Sequence, residues 1–104
     1  MKTILITGAT SGIGLETARK FASEGTYKLI ICGRRQERLS KLKQELQANV
    51  EVTTLNFDVR NQQAVNEALE SLPQEFQAID ILINNAGNAH GLDFIQDGDT
   101  KDWD

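Results

Sequence analysis

The stretch TILITGATSGIG, residues 3–14, decides the fold. Its first part, Thr3–Thr7, is a continuous, largely apolar run, as in a strand buried on both faces of a sheet. The glycines at positions 8, 12 and 14 allow a tight turn, let the backbone approach a ligand, and let a helix start close to the sheet. The free N–H groups of that helix would face an anion such as a pyrophosphate. The stretch therefore predicts a strand, an anion-binding turn and a helix.

The spacing of these glycines is GxxxGxG rather than GxGxxG. Glu16 follows where a nucleotide triphosphatase loop would offer lysine and serine or threonine, so phosphoryl transfer is disfavoured. A glycine-rich turn could also be plain turn chemistry, and other motifs must support the binding interpretation.

Short β-rich runs alternate with stretches of helical period along the chain. The further predicted strands are Lys28–Cys32, Val50–Phe57 and Ile79–Asn84. The first predicted helix covers residues 12–23, with Ile13, Ala18, Phe21 and Ala22 on one face and Gly25 as the stop signal. A second helix is predicted from the spacing of Leu39, Leu42 and Leu46. A third is predicted to be capped by Asn61 and to end before Pro73, with the apolar residues Ala64, Val65, Ala68, Leu69 and Leu72.

The order βαβαβαβ predicts a three-layer α/β fold, a Rossmann-type doubly wound parallel sheet with right-handed crossovers, in one domain over residues 1–104. In such an open sheet, ligands bind beyond the carboxyl ends of the strands. The informative residues are therefore expected just after each strand.

Composition excludes several classes of function. Hydrophobic residues make up 39% and charged residues 25%, as in a folded globular domain, and the net charge of −4 disfavours nucleic acid and anionic membranes as partners. Apolar runs of four or five residues are too short to span a bilayer, and no signal-peptide core precedes the first strand, so we expect a cytoplasmic location. The single cysteine, Cys32, lies in an apolar run and is expected to be a buried, inert thiol.

The second predicted strand is followed by Gly33, Arg34 and Arg35. NAD-preferring domains usually place an acid here, which accepts hydrogen bonds from the ribose hydroxyls. Two guanidinium groups instead suit a 2′-phosphate, whose oxygens they can bind in pairs, so the predicted cofactor is NADP. The alternative is a solvated helix start, but a helix N-terminus disfavours cations, and two arginines there need an anion.

The third and fourth strands end in FDVR and NNAG. Asp58 could accept a hydrogen bond from an adenine amino group, although aspartate is also a common loop and capping residue. In NNAG, residues 84–87, small residues would admit the ribose of a cofactor and the asparagine amides could tie neighbouring loops together; alone, it could be merely a turn. The four strand ends together support a dinucleotide site, because each carries such residues where a dinucleotide would lie.

TGATSGIG, GRR, FDV and NNAG, in this order, resemble the short-chain dehydrogenase/reductase family over essentially all 104 residues. The finer features GRRQERL, FDVRN, SLP and GLDFIQDGDTKDWD resemble the NADP-dependent branch that oxidises 3-hydroxy acids such as serine. The resemblance implies cofactor contacts from Gly8, Thr10, Ser11, Gly12, Ile13 and Gly14 to the pyrophosphate and nearby ribose, from Arg34 and Arg35 to the 2′-phosphate, from Asp58 and Val59 to the adenine, and from Asn85, Ala86 and Gly87 to the adenosine ribose side.

No catalytic residue is assigned to this chain. Members of the family continue through an asparagine, a serine and a Tyr-x-x-x-Lys pair, whereas Tyr27 is followed at the lysine position by Ile31. Residues 1–104 are therefore interpreted as the NADP-binding N-terminal portion of a single Rossmann domain whose catalytic C-terminal portion is absent. Asp104 is interpreted as a cut, and the chain alone is expected to be inactive. His90 has no cluster of cysteines or carboxylates at ligand spacing, so no metal site is predicted. The acids near the end are interpreted as solvated loop residues. Trp103 is expected to pack on a helix beyond this chain.

Three hypotheses stay open from the sequence. The first is the NADP-binding half of an oxidoreductase that acts on a small-molecule substrate and forms a homo-oligomer when full length. The second is a non-catalytic module that senses the redox state of NADP. The third is an inactive remnant whose fourth strand has an unpaired edge, which would favour aggregation.

Overall fold

The structure is a computed structural model, and it describes residues 1–85. The predicted contacts of Ala86 and Gly87, and the predictions for His90, Trp103 and the acidic tail, lie outside the described residues.

Every predicted strand and helix is present, with ends that differ by a few residues. The strands are β1 (Lys2–Thr7), β2 (Tyr27–Gly33), β3 (Val52–Asn56) and β4 (Ile81–Asn84). The helices are α1 (Gly12–Glu24), α2 (Gln36–Leu46) and α3 (Gln62–Glu70), and a short 3₁₀ turn over Gln74–Phe76, which was not predicted, precedes β4. None of the helices within residues 1–85 is long and apolar enough to cross a membrane.

The four strands form one parallel sheet in the order β3-β2-β1-β4. β1 pairs with β2 through registers such as Ile4 opposite Leu29, and with β4 through Ile4 opposite Ile81. Successive strands are added on one side of β1 and then, after α3, on its other side. The place where the order reverses lies beside β1, and its carboxyl end is where ligands bind in open α/β sheets. The predicted fold class is confirmed.

The sheet is covered on both faces because successive residues of a strand point to opposite sides. On one face, Ile4, Ile6, Leu29 and Ile31 pack with residues of α1 and α2, including Leu39. On the other face, Leu5, Ile30 and Cys32 pack with α3 and with the 3₁₀ turn, through Val65 and Phe76 among others. The three-layer arrangement follows, and the buried position predicted for Cys32 is confirmed. Burial raises the pKa of its thiol, because a thiolate would lose its hydration there.

The predicted apolar face of α1 is wrong in one residue. Ile13 is 76% exposed, whereas the buried stripe of α1 consists of Gly14, Ala18 and Ala22. At 3.6 residues per turn, Ile13 lies about 180° around the helix from Ala22, so both cannot face the sheet. The small residues at four-residue spacing face the sheet, and Ile13 points to solvent at the helix start.

Candidate functional site

The glycine-rich turn after β1 has the backbone geometry that the sequence predicted. Gly8 and Gly12 have φ values of 61° and 57°, in the left-handed region that favours glycine. A Cβ atom placed on Gly14 would lie 1.9 Å from the carbonyl oxygen of Gly8, so only glycine lets the first turn of α1 pack on the preceding loop. The tight turn and the close helix start are therefore confirmed.

The start of α1 leaves backbone donors available to a ligand. Ser11 is its N-terminal capping residue, but the Ser11 side chain makes no capping hydrogen bond. The N–H of Leu15 donates to the Ser11 carbonyl at 3.3 Å, which leaves the N–H groups of residues 12–14 without an intrahelical acceptor. Such donors, at the positive end of the helix dipole, suit an anion.

Backbone hydrogen bonds join the ends of three strands around this turn. The N–H of Ala9 donates to the carbonyl of Cys32 at 3.1 Å, which fixes the turn to the end of β2. The carbonyl of Gly33 accepts from the N–H of Phe57 at 3.0 Å and from the side-chain amide of Asn56 at 3.3 Å. The loops after β1, β2 and β3 therefore form one connected rim.

The Thr7 hydroxyl connects the fourth strand to this rim. It is fully buried, donates to Oδ1 of Asn84 at 2.9 Å, and accepts from the backbone N–H of Asn85 at 3.0 Å. Among the described residues, the buried Nδ2 of Asn85 has no hydrogen-bond partner. A buried amide donor without an acceptor is costly, so the position fits a ligand oxygen or nitrogen that accepts from it.

The two arginines after β2 have different surroundings. Nη1 of Arg34 lies 3.6 Å from Oδ2 of Asp58, and the Arg34 side chain is 64% exposed. Arg35 is the N-terminal capping residue of α2, with no side-chain capping bond. Two further arginines line the same region, Arg38 on the first turn of α2 and Arg60 after β3. The sequence prediction missed both, although Arg38 stands one turn after Arg35 and Arg60 only two residues after Asp58.

The carboxylate of Asp58 is bound tightly by Arg60. Nη2 of Arg60 donates to Oδ2 at 2.9 Å, its Nε donates to Oδ1 at 3.1 Å, and its backbone N–H donates to Oδ1 at 2.9 Å. These hydrogen bonds, with the nearby charges of Arg60 and Arg34, hold the pKa of Asp58 well below its usual range. The carboxylate is therefore ionised and acts only as an acceptor.

These groups surround one open cleft of about 510 Å³ beyond the carboxyl ends of the strands. Its lining consists of Gly8, Thr10, Ser11, Cys32, Gly33, Arg34, Arg35, Arg38, Phe57, Asp58, Val59, Arg60 and Asn85. Of the predicted contact residues within residues 1–85, Gly12, Ile13 and Gly14 do not line the cleft and lie instead at the start of α1. Among residues 1–85, the lining has four guanidinium groups and one carboxylate, so this part of the lining is positively charged in a chain whose net charge is −4.

Residues 1–85 contain no group of three histidine, cysteine, aspartate or glutamate side chains placed to hold an ion.

The strand order defines a Rossmann-type α/β domain, and the cleft lies at the switch point of the sheet, where ligands bind in open α/β sheets. The family model described as short chain dehydrogenase matches residues 2–104. The chain belongs to the short-chain dehydrogenase/reductase family.

Individual relatives support this assignment. The chain is 47% identical over 100 residues to sulfoacetaldehyde reductase 2 of Chromohalobacter salexigens, a match that covers 96% of this chain and 39% of the relative. It is 48% identical over 101 residues to the NADP-dependent 3-hydroxy acid dehydrogenase YdfG of Escherichia coli K12, covering 97% and 40%. The crystal structure of serine dehydrogenase from Escherichia coli matches with a TM-score of 0.72 and 49% identity, covering 84% of this chain and 39% of that one.

The chain thus spans about 40% of the length of the curated relatives it matches. The predicted resemblance to the NADP-dependent 3-hydroxy acid branch is confirmed by these relatives. NADP is the cofactor in the name of YdfG, which agrees with the cofactor predicted from the two arginines after β2.

Proposed function

We propose that this chain forms the NADP-binding portion of an oxidoreductase that transfers hydride between NADP(H) and a small hydroxyl or carbonyl compound. One observation carries the proposal: the cleft at the switch point has Arg34 and Arg35 where a domain selective for NAD would place an acid. A 2′-phosphate distinguishes NADP from NAD, and guanidinium groups bind phosphate oxygens in pairs.

The residues of the cleft fit the successive parts of this cofactor. The free backbone N–H groups at the start of α1 follow the cleft residue Ser11, and such groups can donate to a pyrophosphate. The ionised carboxylate of Asp58 can accept a hydrogen bond from the adenine amino group, with Val59 beside the ring. The unpartnered Nδ2 of Asn85 can donate to a ribose oxygen. Bound NADP(H) would supply the hydride acceptor or donor.

The proposed substrate class comes from the relatives. A 3-hydroxy acid dehydrogenase, a serine dehydrogenase and a sulfoacetaldehyde reductase are named for small polar hydroxyl or carbonyl compounds. We therefore propose a 3-hydroxy acid such as serine for the complete enzyme, acting as a homo-oligomer. The cytoplasmic location stays a prediction.

Catalysis by this chain alone is not part of the proposal. The only tyrosine, Tyr27, has Ile31 at the position where the family's Tyr-x-x-x-Lys pair requires lysine. A tyrosine of that pair exchanges a proton with the substrate oxygen, and the neighbouring lysine lowers its pKa. We expect the 104-residue chain to bind NADP without oxidising serine, which a lack of NADPH formation would show.

Calorimetric titration with NADP and with NAD tests the binding function. We expect tighter binding of NADP, and loss of that preference in the double variant Arg34→Ala, Arg35→Ala. The matched control is Lys41→Ala, which removes a cation from an exposed position of α2 outside the cleft. Absence of NADP binding by the unmodified protein, or an unchanged preference in the double variant, would contradict the proposal.

A further inference from the structure

The four arginines of the cleft fall into two pairs. Arg34 and Arg60 share one carboxylate, since Oδ2 of Asp58 lies 3.6 Å from Arg34 and 2.9 Å from Arg60. Arg60 adds a second side-chain hydrogen bond through its Nε. The charge of this pair is therefore offset in part by Asp58, and the guanidinium of Arg60 is oriented by it.

The second pair, Arg35 and Arg38, has no such partner. Within residues 1–85, neither side chain forms an ion pair or a side-chain hydrogen bond. Both lie at the start of α2, where the N–H of Arg38 donates to the carbonyl of Arg35 at 3.2 Å, and both line the cleft. Arg35 is the N-terminal capping residue of α2 and Arg38 lies on its first turn, so both cations stand at the same end of the helix.

This arrangement is unfavourable without a ligand. The positive end of the helix dipole disfavours cations at the start of a helix, and neither arginine has a carboxylate partner within residues 1–85. A dianionic phosphate monoester in the cleft would supply that missing partner. The buried, unpartnered Nδ2 of Asn85 on the same cleft independently indicates a ligand there.

We propose that Arg38 is a specificity-determining residue for the 2′-phosphate of NADP. It acts from the first turn of α2, with Arg35, while Asp58 holds Arg34 and Arg60. This inference rests on the proposed function and deepens it, because it adds a residue outside the GRR sequence to the groups that distinguish NADP from NAD. The alternative is that Arg38 is only a solvated cation at the edge of the cleft.

The experiment compares Arg38→Ala, Arg38→Lys and the control Lys41→Ala by calorimetric titration with NADP and NAD. We expect Arg38→Ala to weaken NADP binding by about tenfold or more, as for loss of a hydrogen-bonded charge, and to change NAD binding by less than about twofold. Arg38→Lys should recover only part of the NADP affinity, because an ammonium group keeps the charge but not the planar fork. Lys41→Ala should bind both cofactors as the unmodified protein does.

The possible failures are distinguishable. Normal NADP preference in Arg38→Ala, or equal losses for NADP and NAD, would overturn the role of Arg38 and leave the proposed function standing. Absence of NADP binding by the unmodified protein would overturn both. Melting curves establish that each variant folds, and if Arg38→Ala does not, unchanged NADP affinity in Arg38→Lys would also refute the proposal.

Discussion

Replacing Gly14 by alanine tests the packing of α1 on the glycine-rich turn. The added Cβ would lie 1.9 Å from the carbonyl oxygen of Gly8 and 2.7 Å from its carbonyl carbon. To reach 3.0 Å, below which real Cβ atoms are essentially never found, the helix and the turn must separate by about 1.1 Å. Both neighbours are backbone atoms, so no side-chain rotation can relieve the contact.

The expected cost follows from two opposing effects. Overpacking costs about 1–3 kcal/mol, and a contact with fixed backbone belongs at the upper end of that range. Alanine in place of glycine inside a helix returns about 1 kcal/mol through its better helix propensity. The free energy of unfolding should therefore fall by about 2 kcal/mol. For a domain of this size, that change lowers the melting temperature by about 8–16 °C.

Thermal unfolding followed by circular dichroism, without cofactor, measures this effect. Gly33→Ala is the matched control, because its Cβ would meet only Leu39 at 3.4 Å and Thr10 at 3.5 Å, which are ordinary contacts. We expect the control to change the free energy of unfolding by less than about 0.5 kcal/mol. A Gly14→Ala variant that melts at the same temperature as Gly33→Ala would refute the close approach of α1 to the turn.

Three further changes test other parts of the structure. Asn61→Ala should lower the free energy of unfolding by about 1 kcal/mol in urea titrations, because Oδ1 of Asn61 caps α3 by accepting from the N–H of Ala64 at 3.1 Å; Asn61→Asp, which keeps a capping oxygen, should stay close to the unmodified protein. Asp58→Asn should lower the melting temperature at neutral pH, and the difference should shrink as the pH falls below about 4, since a carboxylate with a depressed pKa contributes stability in full only above its unfolded pKa of about 3.9; a difference independent of pH would exclude the ion pair with Arg60 as its source. Cys32 should react with a disulfide thiol reagent only as denaturant unfolds the protein, whereas rapid reaction of the native protein would contradict its burial.

The order of strands and helices could be predicted because the spacing of apolar residues agrees along the chain with the positions of helix-capping and helix-ending residues. Gly25 ends α1 in the left-handed conformation, with φ of 73°, and Asn61 caps α3 as its side chain suggested. The prediction for Ile13 is wrong because, at 3.6 residues per turn, Ile13 lies on the opposite side of α1 from Ala22 and therefore cannot share its buried face. The burial of Phe76 is not predicted because a three-residue 3₁₀ turn is too short to show a repeating pattern of apolar residues.

The sequence predicts which residues lie near the candidate site but not how their side chains pair with one another. The sequence places glycines, arginines and an aspartate after successive strands, and parallel topology brings those strand ends together. It does not show that Asp58 is held by Arg60, because an aspartate two residues before an arginine is compatible with many loop conformations. It also does not show which face of α2 borders the cleft, so Arg38 could be assigned only after the position of the helix was known.

The charge distribution explains how an acidic chain can attract an anionic cofactor. Within residues 1–85, the cleft is lined by four of the ten basic residues but only one of the ten acidic ones, so the other acidic residues of this range lie outside it. Charges near a ligand dominate its binding, because those more than about 10 Å away are largely screened at physiological salt. Net charge therefore argues against extended polyanions, which would contact much of the surface, and does not argue against a single dinucleotide bound at this cleft.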